Sequence, residues 1–136
     1  MAQVHKLHQY STICAPIMSQ YAALEGLRSG ADEVEKMRVS YQQRRNLLMH
    51  AFADMGLPVA EPAGAFYIFP DLRKTRLTSE DFAPKMINEY TVAVVPGTAF
   101  GEGAEGFVRC CYATEIGKLK EAMRRMKLMI EGKPLE

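Results

Sequence analysis

Arg109 is the residue best suited to chemistry, because it interrupts the otherwise uncharged run FVRCCYAT directly after a glycine-rich turn. The interior of a strand rarely carries an unpaired cation, since removing a charge from water is costly unless something pairs with it. A guanidinium is permanently charged and forked, so it can hold a planar carboxylate through two parallel hydrogen bonds. Alternatively, Arg109 pairs with Glu102 or Glu105, or extends into water. Spacing alone favours this second, structural interpretation.

The other common site signatures are absent from the sequence. His5 and His8 lie three residues apart and His50 stands alone, so a metal site would need ligands that the spacing does not supply. No Gly-x-Ser-x-Gly motif of the hydrolase type is present. The glycines of GTAFGEGAEG precede a strand instead of following one, so they do not match a dinucleotide or P-loop site. We predict no metal site.

Composition places the chain among ordinary globular proteins. Its 136 residues are 48% hydrophobic and 24% charged, with a net charge of +1 and no basic stripe, which argues against nucleic acid or an anionic membrane as partner. The cysteines are Cys14, Cys110 and Cys111, an arrangement that fits a reducing compartment better than a disulfide framework. Adjacent strand cysteines face opposite ways, so one of the last two is expected in the core. With no long apolar run and a polar start, the sequence predicts a soluble, cytoplasmic protein.

Two helices are predicted in the first part of the chain. Residues 16–29 carry apolar side chains three or four apart and end at Gly30, and a longer helix is predicted over 31–55. The longer helix has its apolar stripe at Val34, Met37, Tyr41, Leu48, Phe52 and Met55. Residues 1–15, which include the apolar Ile13, show little periodicity. They form either a packed N-terminal arm or part of a larger body.

A small sheet and two helices are predicted in the remainder. Strands are expected over about 65–69, 92–97 and 106–112, with a helix over 79–90 that Thr78 or Ser79 caps. A last helix is expected after a Thr114 cap, with its core stripe at Ile116, Leu119, Met123, Met126 and Ile130. This order predicts an α/β or α+β domain in which a small β-sheet is covered by helices and preceded by a long helix.

Three stretches of this sequence resemble the C-terminal part of class I/II aminotransferases, the fold-type-I enzymes that use pyridoxal phosphate (PLP). They are HQYSTICAPIMSQYAALEGL, GAFYIFPD, and TSEDFAPKMINEYTVAVVPGTAFGEGAEGFVRCCYAT followed by an amphipathic helix. The resemblance implies that residues 1–30 end the large PLP-binding domain. It implies that residues 31–136 are the interdomain helix and the small domain, in an enzyme that usually works as a homodimer.

The same resemblance implies roles for three residues. In the family, the arginine of the VR-x-x-Y-A strand holds the substrate α-carboxylate, and by position this role falls on Arg109. Phe66, after Gly-Ala, and Tyr67 would approach the substrate. Cys111 stands where family members commonly have Ser, which leaves the role of the arginine intact. The Cys-Ala-Pro turn at 14–16 lacks the side chain that often lies near the cofactor phosphate, so no cofactor contact is assigned.

The family's catalytic lysine, which forms the Schiff base with PLP, lies in a Ser-x-x-Lys stretch that this chain lacks. The resemblance therefore implies a PLP enzyme that transfers an amino group between an amino acid and a 2-oxo acid. It also implies that the isolated chain is inactive. Two alternatives stay open. In the first, the chain is a stand-alone module that binds carboxylates or a partner. In the second, the enzyme is a PLP lyase or decarboxylase, because fold does not determine reaction type.

Overall fold

The structure is a computed structural model that describes residues 1–12 and 14–135. Ile13, one of the apolar residues noted in the N-terminal stretch, lies outside the described residues. The chain divides into two compact units, Met1–Arg38 and Val39–Glu136. Five α-helices and three short strands follow one another along the described chain in the order α1-α2-α3-β1-α4-β2-β3-α5.

The first unit contains helices α1 (Ala2–Ser11) and α2 (Ile17–Ser29) and the start of α3 (Ala31–Asp54). The helix predicted over 16–29 is confirmed, with Gly30 as its C-cap. No residue of α1 or α2 is buried, so a packed arm does not form over residues 2–11. These residues instead form a regular helix, which the weak periodicity did not predict because an exposed helix needs no apolar face.

Helix α3 confirms the predicted long helix, and Gly56 follows it with φ +69°. Only part of its predicted apolar stripe is buried. Leu48 and Phe52 are fully buried, whereas the side chains of Val34 and Met37 are more than half exposed. Apolar spacing along this helix therefore predicted its core contacts only within the second unit.

The second unit is built on a three-stranded antiparallel sheet. Strands β1 (Tyr67–Ile68), β2 (Val95–Pro96) and β3 (Val108–Cys111) lie in the order β1-β3-β2. Tyr67 pairs with Cys111, and Val95 pairs with Arg109. All three predicted strands exist, but each is shorter than predicted, and the central strand is the last of the three in sequence.

Helices α4 (Ser79–Tyr90) and α5 (Ile116–Ile130) complete the second unit. Thr78 caps α4 by accepting a hydrogen bond from the backbone N–H of Asp81, as predicted. The predicted Thr114 cap is wrong, because α5 starts one residue later and its N-cap is Glu115, with no side-chain cap. The chain after α5 turns at Gly132, whose φ is +68°.

The core of the second unit lies between the sheet and its helices. It also contains Met129, which the predicted stripe of α5 omitted, whereas Ile116 is 37% exposed. Burial of these apolar side chains is the main contribution to folding. The core cluster consists of Leu48, Phe52, Leu57, Ile68, Leu72, Phe82, Met86, Tyr90, Val108, Cys110, Tyr112, Leu119, Met123, Met126 and Met129.

None of the helices in the described part of the chain has both the length and the apolar character that crossing a membrane requires.

Candidate functional site

Strand β3 positions Arg109 on the face of the sheet that turns away from the core. Val108 and Cys110 are buried, while Arg109 is half-buried and Cys111 is exposed, as the two-residue period of a strand requires. The prediction that one of the adjacent cysteines is in the core is therefore confirmed. Since β3 is the central strand, hydrogen bonds on both sides hold the backbone that carries Arg109.

Two aromatic rings contact the Arg109 guanidinium. Its central carbon, Cζ, lies 4.3 Å from the centre of the Tyr67 ring and 4.8 Å from that of the Phe100 ring. The Phe100 ring in turn meets Phe69 edge-on, with centroids 5.5 Å apart and an angle of 81° between the ring planes. Rings attract the cation through their negative faces and do not themselves accept conventional hydrogen bonds from its N–H groups.

Among residues 1–12 and 14–135, Arg109 has no ion pair with a carboxylate. Glu105, one of the two candidate partners, is bonded elsewhere. Its carboxylate accepts hydrogen bonds from the Ser79 side-chain hydroxyl at 2.6 Å and backbone N–H at 3.0 Å. These bonds, the hydroxyl first, lower the pKa of Glu105. Within the described chain, the predicted pairing of Arg109 with Glu102 or Glu105 is therefore not formed.

Phe66 and Tyr67, the other two predicted site residues, occupy different positions relative to Arg109. Tyr67 contacts the guanidinium directly, whereas the ring contacts of Phe66 are with Tyr67 at 4.5 Å and with Tyr41 at 6.1 Å. Phe66 is 38% exposed. The backbone carbonyl of the preceding Ala65, which has φ +61°, accepts a hydrogen bond from the buried Tyr112 hydroxyl. The turn before β1 is thereby tied to the core.

Phe100 is a neighbour of Arg109 that the sequence did not predict. It ends a short 3-10 helix, Gly97–Phe100, in the connection between β2 and β3. The signal available in the sequence is the single aromatic residue inside the glycine-rich run GTAFGEG. An aromatic residue in such a turn has no partner in its own segment, so its ring is available to a neighbouring strand.

A cavity of about 480 Å³ lies elsewhere in the second unit, beside α5 and the segment 91–94. Its lining includes Cys111 and Lys118 but not Arg109, Phe66 or Tyr67. The three predicted site residues therefore lie outside this cavity. No group of three potential metal ligands occurs within the described residues.

The family model for aminotransferase class I and II matches residues 2–126. The chain belongs to this family. The matched segment includes every element from α1 to β3 and most of α5, so the resemblance read from the three sequence stretches is confirmed.

Relatives of this aminotransferase chain are considerably longer than it is. YugH of Bacillus subtilis is 50% identical over 122 residues, which are 90% of this chain and 32% of YugH. Aromatic-amino-acid aminotransferase 2 of Thermococcus litoralis is 46% identical over 132 residues, covering 96% of this chain and 34% of that enzyme. The chain thus spans about a third of the length of the curated relatives that it matches.

Solved aminotransferase structures contain the same fold. The crystal structure of the aromatic aminotransferase from Pyrococcus horikoshii superposes with a TM-score of 0.89 at 46% identity, covering 93% of this chain and 34% of that one. The aspartate aminotransferase of Thermotoga maritima gives a TM-score of 0.82 at 33% identity. The predicted α+β architecture is confirmed by these similarities.

The residues around Arg109 do not fit a covalent PLP site. The groups that contact its guanidinium are aromatic rings, and a ring cannot form the bond with the cofactor aldehyde that a lysine amine forms. Three lysine amines on the surface donate hydrogen bonds within the chain. Lys36 donates to Glu33, Lys74 to the Gly56 carbonyl and Lys133 to Glu131. Within the described chain, the side chains in contact with the Arg109 guanidinium thus offer no amine for a covalent bond to the cofactor.

Proposed function

We propose that this chain is the C-terminal part of a PLP-dependent aminotransferase that moves an amino group between an amino acid and a 2-oxo acid. In this proposal, Arg109 holds the α-carboxylate of the substrate, and Phe66 and Tyr67 lie on the substrate side of the site. One observation carries the assignment. Within the described chain, Arg109 lies on the face of the sheet opposite the core, with rings against it and no carboxylate paired to it.

The physical argument is one of charge complementarity. The guanidinium is already stacked against two aromatic rings, so part of its side-chain freedom is lost before it binds a ligand. Its edge presents parallel N–H donors that match the two oxygens of a carboxylate. The carboxylate is shared by amino acids and 2-oxo acids, so one residue can anchor both substrates of a transamination.

The cofactor belongs to the proposed enzyme and not to this segment. PLP, when bound, supplies the electron sink that stabilises negative charge on the substrate carbon. The residues of this chain contribute the position of the carboxylate, which fixes one end of the substrate relative to the reacting atoms. We therefore expect that the isolated chain has no transaminase activity when PLP alone is added.

The proposed whole enzyme has further features that follow from its family. We propose residues 1–30 as the end of the large PLP-binding domain and residues 31–136 as the interdomain helix and small domain. We also propose a cytoplasmic homodimer that serves amino acid biosynthesis. The names of the relatives above include aromatic amino acids and aspartate as substrates. These names support an amino acid substrate without selecting its side chain.

The size of the native product is the first test. An antibody against this chain is used on an extract of the source cell under denaturing conditions. A band about three times heavier than 15.2 kDa supports the aminotransferase, because the relatives are about three times longer. A band at 15.2 kDa contradicts it and supports the stand-alone carboxylate-binding module.

A variant of the anchoring residue tests the chemistry in the full-length enzyme. Replacing Arg109 by Leu removes a charge-assisted bidentate contact, so we expect KM for the amino acid to rise at least about tenfold. Arg109→Lys keeps the charge but loses the fork, and its KM should lie between those of Arg109→Leu and the unmodified enzyme. An unchanged KM in Arg109→Leu contradicts the assigned role. Release of carbon dioxide or of a substituent, in place of a 2-oxo acid product, identifies the decarboxylase or lyase alternative.

A further inference from the structure

The ring of Phe100 has no assigned role, although it contacts the proposed substrate-binding cation. We propose that Phe100 is a positioning and specificity-determining residue. Together with Tyr67 it forms an aromatic clamp that covers the guanidinium of Arg109 and leaves only the edge of that group available. The clamp selects a planar carboxylate over a tetrahedral anion such as a phosphonate. This inference rests on the proposed function, because it requires Arg109 to bind the substrate.

The positions of the two rings support a clamp. Each ring centre lies within 5 Å of the guanidinium carbon of Arg109. Two rings stacked on the same side of one small group would also touch each other, yet among the described residues Tyr67 and Phe100 form no ring pair. The rings therefore approach the cation from different directions, one from strand β1 and the other from the connection between β2 and β3.

The segment that carries Phe100 is held on both sides of the ring. Before it, Gly97 is buried, its N–H donates to the Phe107 carbonyl at 2.8 Å, and Thr98 donates to the Glu80 carboxylate. After it, the Glu105 carboxylate accepts from the N-terminus of α4, at Ser79. The Phe69 ring then supports Phe100 edge-on. These contacts hold the backbone on both sides of Phe100, and its ring, which is 47% exposed, packs against Arg109 and Phe69.

The shape of the remaining opening determines which anion fits. A carboxylate is flat, so both oxygens lie in the plane of the guanidinium edge and accept parallel N–H bonds. A phosphonate carries a third oxygen outside that plane, on the side where a clamping ring lies. A ring face repels an anion for the same reason that it attracts a cation. The clamp thus favours carboxylates because its ring faces repel the third oxygen of a phosphonate. Specificity then comes from repulsion of the wrong ligand as well as attraction of the right one.

Kinetics of the full-length enzyme test the clamp, with Phe100→Leu as the main variant. Leucine retains apolar bulk but removes the ring, so we expect KM for the amino acid to rise about threefold to tenfold, the range of a lost cation–π contact. We expect kcat to stay within about twofold, because the carboxylate is held equally in ground and transition states. Propionate and ethylphosphonate serve as probe inhibitors. In the unmodified enzyme, we expect a larger inhibition constant for ethylphosphonate than for propionate. The ratio of the first constant to the second should fall toward unity in Phe100→Leu.

Two further variants separate positioning from general damage to the fold. Phe100→Tyr keeps a ring and should restore both the KM and the inhibitor ratio. Phe107→Leu removes a ring from the same segment, one that contacts Arg73 and not Arg109, and should behave like the unmodified enzyme. In the 136-residue chain, the Nε–H resonance of Arg109 should move downfield in Phe100→Leu, because the shielding from the ring face is lost.

The outcomes distinguish the two proposals. If Arg109→Leu raises KM while Phe100→Leu leaves KM and the inhibitor ratio unchanged, the clamp is overturned and the proposed function stands. If Arg109→Leu leaves KM unchanged, the carboxylate role and the clamp are both overturned. A Phe100→Leu defect that Phe107→Leu shares, or that Phe100→Tyr does not restore, also overturns the clamp, because it shows loss of loop structure instead.

Discussion

At the scale of single residues, the alternation along β3 determines which side chains can react. The strand places Cys110 in the core and Arg109 and Cys111 on the opposite face. A charged or reactive side chain in the middle of a sheet is accessible only on that face. The same alternation therefore provides both the buried packing and the proposed carboxylate anchor within four residues.

Thiol labelling tests this alternation directly. Burial raises the pKa of the Cys110 thiol to about 12, so near neutral pH it has neither access to reagent nor an appreciable thiolate fraction. We expect iodoacetamide to modify the exposed Cys111 and Cys14 in the folded chain, and Cys110 only after urea is added. Peptide mass spectrometry reads out the sites. Labelling of Cys110 at the rate of Cys111 without denaturant would show that the register of β3 is wrong.

Gly97 is required at its position because its backbone is in close contact with the end of its own loop. A Cβ atom added there would lie 1.8 Å from the Ala104 carbonyl oxygen, a distance that forces the backbone to move. We expect Gly97→Ala to lower the free energy of unfolding by about 3 kcal/mol, measured by urea denaturation. Gly103→Ala in the same loop meets nothing within 4 Å and should change it by less than about 0.5 kcal/mol. Equal effects in both variants would contradict this account.

At the scale of elements, α4 anchors the turn that carries Phe100. Its N-cap Thr78 accepts from the Asp81 N–H at 3.1 Å and donates to the Asp81 carboxylate at 2.6 Å. Its first residue, Ser79, is fully buried and donates to Glu105. The start of this helix is therefore hydrogen-bonded, through Ser79 and Glu105, to the connection that carries Phe100.

Removing the cap should destabilise the second unit. We expect Thr78→Ala to lower the free energy of unfolding by about 1 kcal/mol, because the Asp81 N–H loses its acceptor. Thr78→Ser retains the hydroxyl and serves as the matched control, with a change that should stay below about 0.5 kcal/mol. Chemical denaturation followed by circular dichroism measures both. A Thr78→Ser variant as unstable as Thr78→Ala would indicate that the methyl group, and not the cap, matters.

The Glu105 anchor should depend on pH. Hydrogen bonds from Ser79 lower the pKa of Glu105 below its ordinary value of 4.5. A lowered pKa in the folded state stabilises the fold fully above the ordinary value, and this contribution is lost as the pH falls through the lowered one. We expect Glu105→Gln to be less stable than the unmodified chain at pH 7, with the difference shrinking as the pH falls below 4.5. Urea titrations across this range provide the measurement, and a difference that does not vary with pH would argue against the charged anchor.

The elements also show where sequence patterns suffice and where they do not. The start of α4 was predicted because its cap, Thr78, is a local signal that needs no tertiary information. The extent of β2 was not, because the N–H of Val92 bonds back to Met86 at the end of α4 and so does not enter the sheet. Helix α1 was missed because periodicity reports burial, and α1 has no buried face.

The same limit applies to the candidate site. Arg109 could be singled out from one strand, because an isolated cation in an apolar run is visible in the sequence. Phe100 could not be assigned to it, because the two residues meet only after the 97–106 connection has folded against α4. Local chemistry was therefore predictable, whereas the surroundings of the guanidinium depend on tertiary structure.

At the scale of the whole molecule, burial is confined to the second unit. Every residue of the core cluster lies between positions 48 and 129, and no described residue of 1–38 is buried. Residues 1–38 instead expose apolar side chains, among them Leu7, Tyr10 and Leu27. Exposed apolar surface of this kind is typical of contact regions.

Removal of residues 1–38 tests this division. We expect the segment 39–136 to unfold cooperatively at the same urea midpoint as the full chain, because the core is unchanged. We also expect it to self-associate less in sedimentation measurements, because the exposed apolar helices are gone. Loss of the cooperative transition would contradict the assignment of the core, and unchanged association would contradict the role of the helices.

The position of β3 at the centre of the sheet has a consequence for biosynthesis. A chain emerges from the ribosome in sequence order, so β1 and β2 are both made before the strand that pairs with each of them. Until residues 108–111 appear, neither edge strand has a partner, and the aromatic rings of this region lie uncovered in the nascent polypeptide. The sheet can therefore form only after β3, the strand that carries Arg109, has been made.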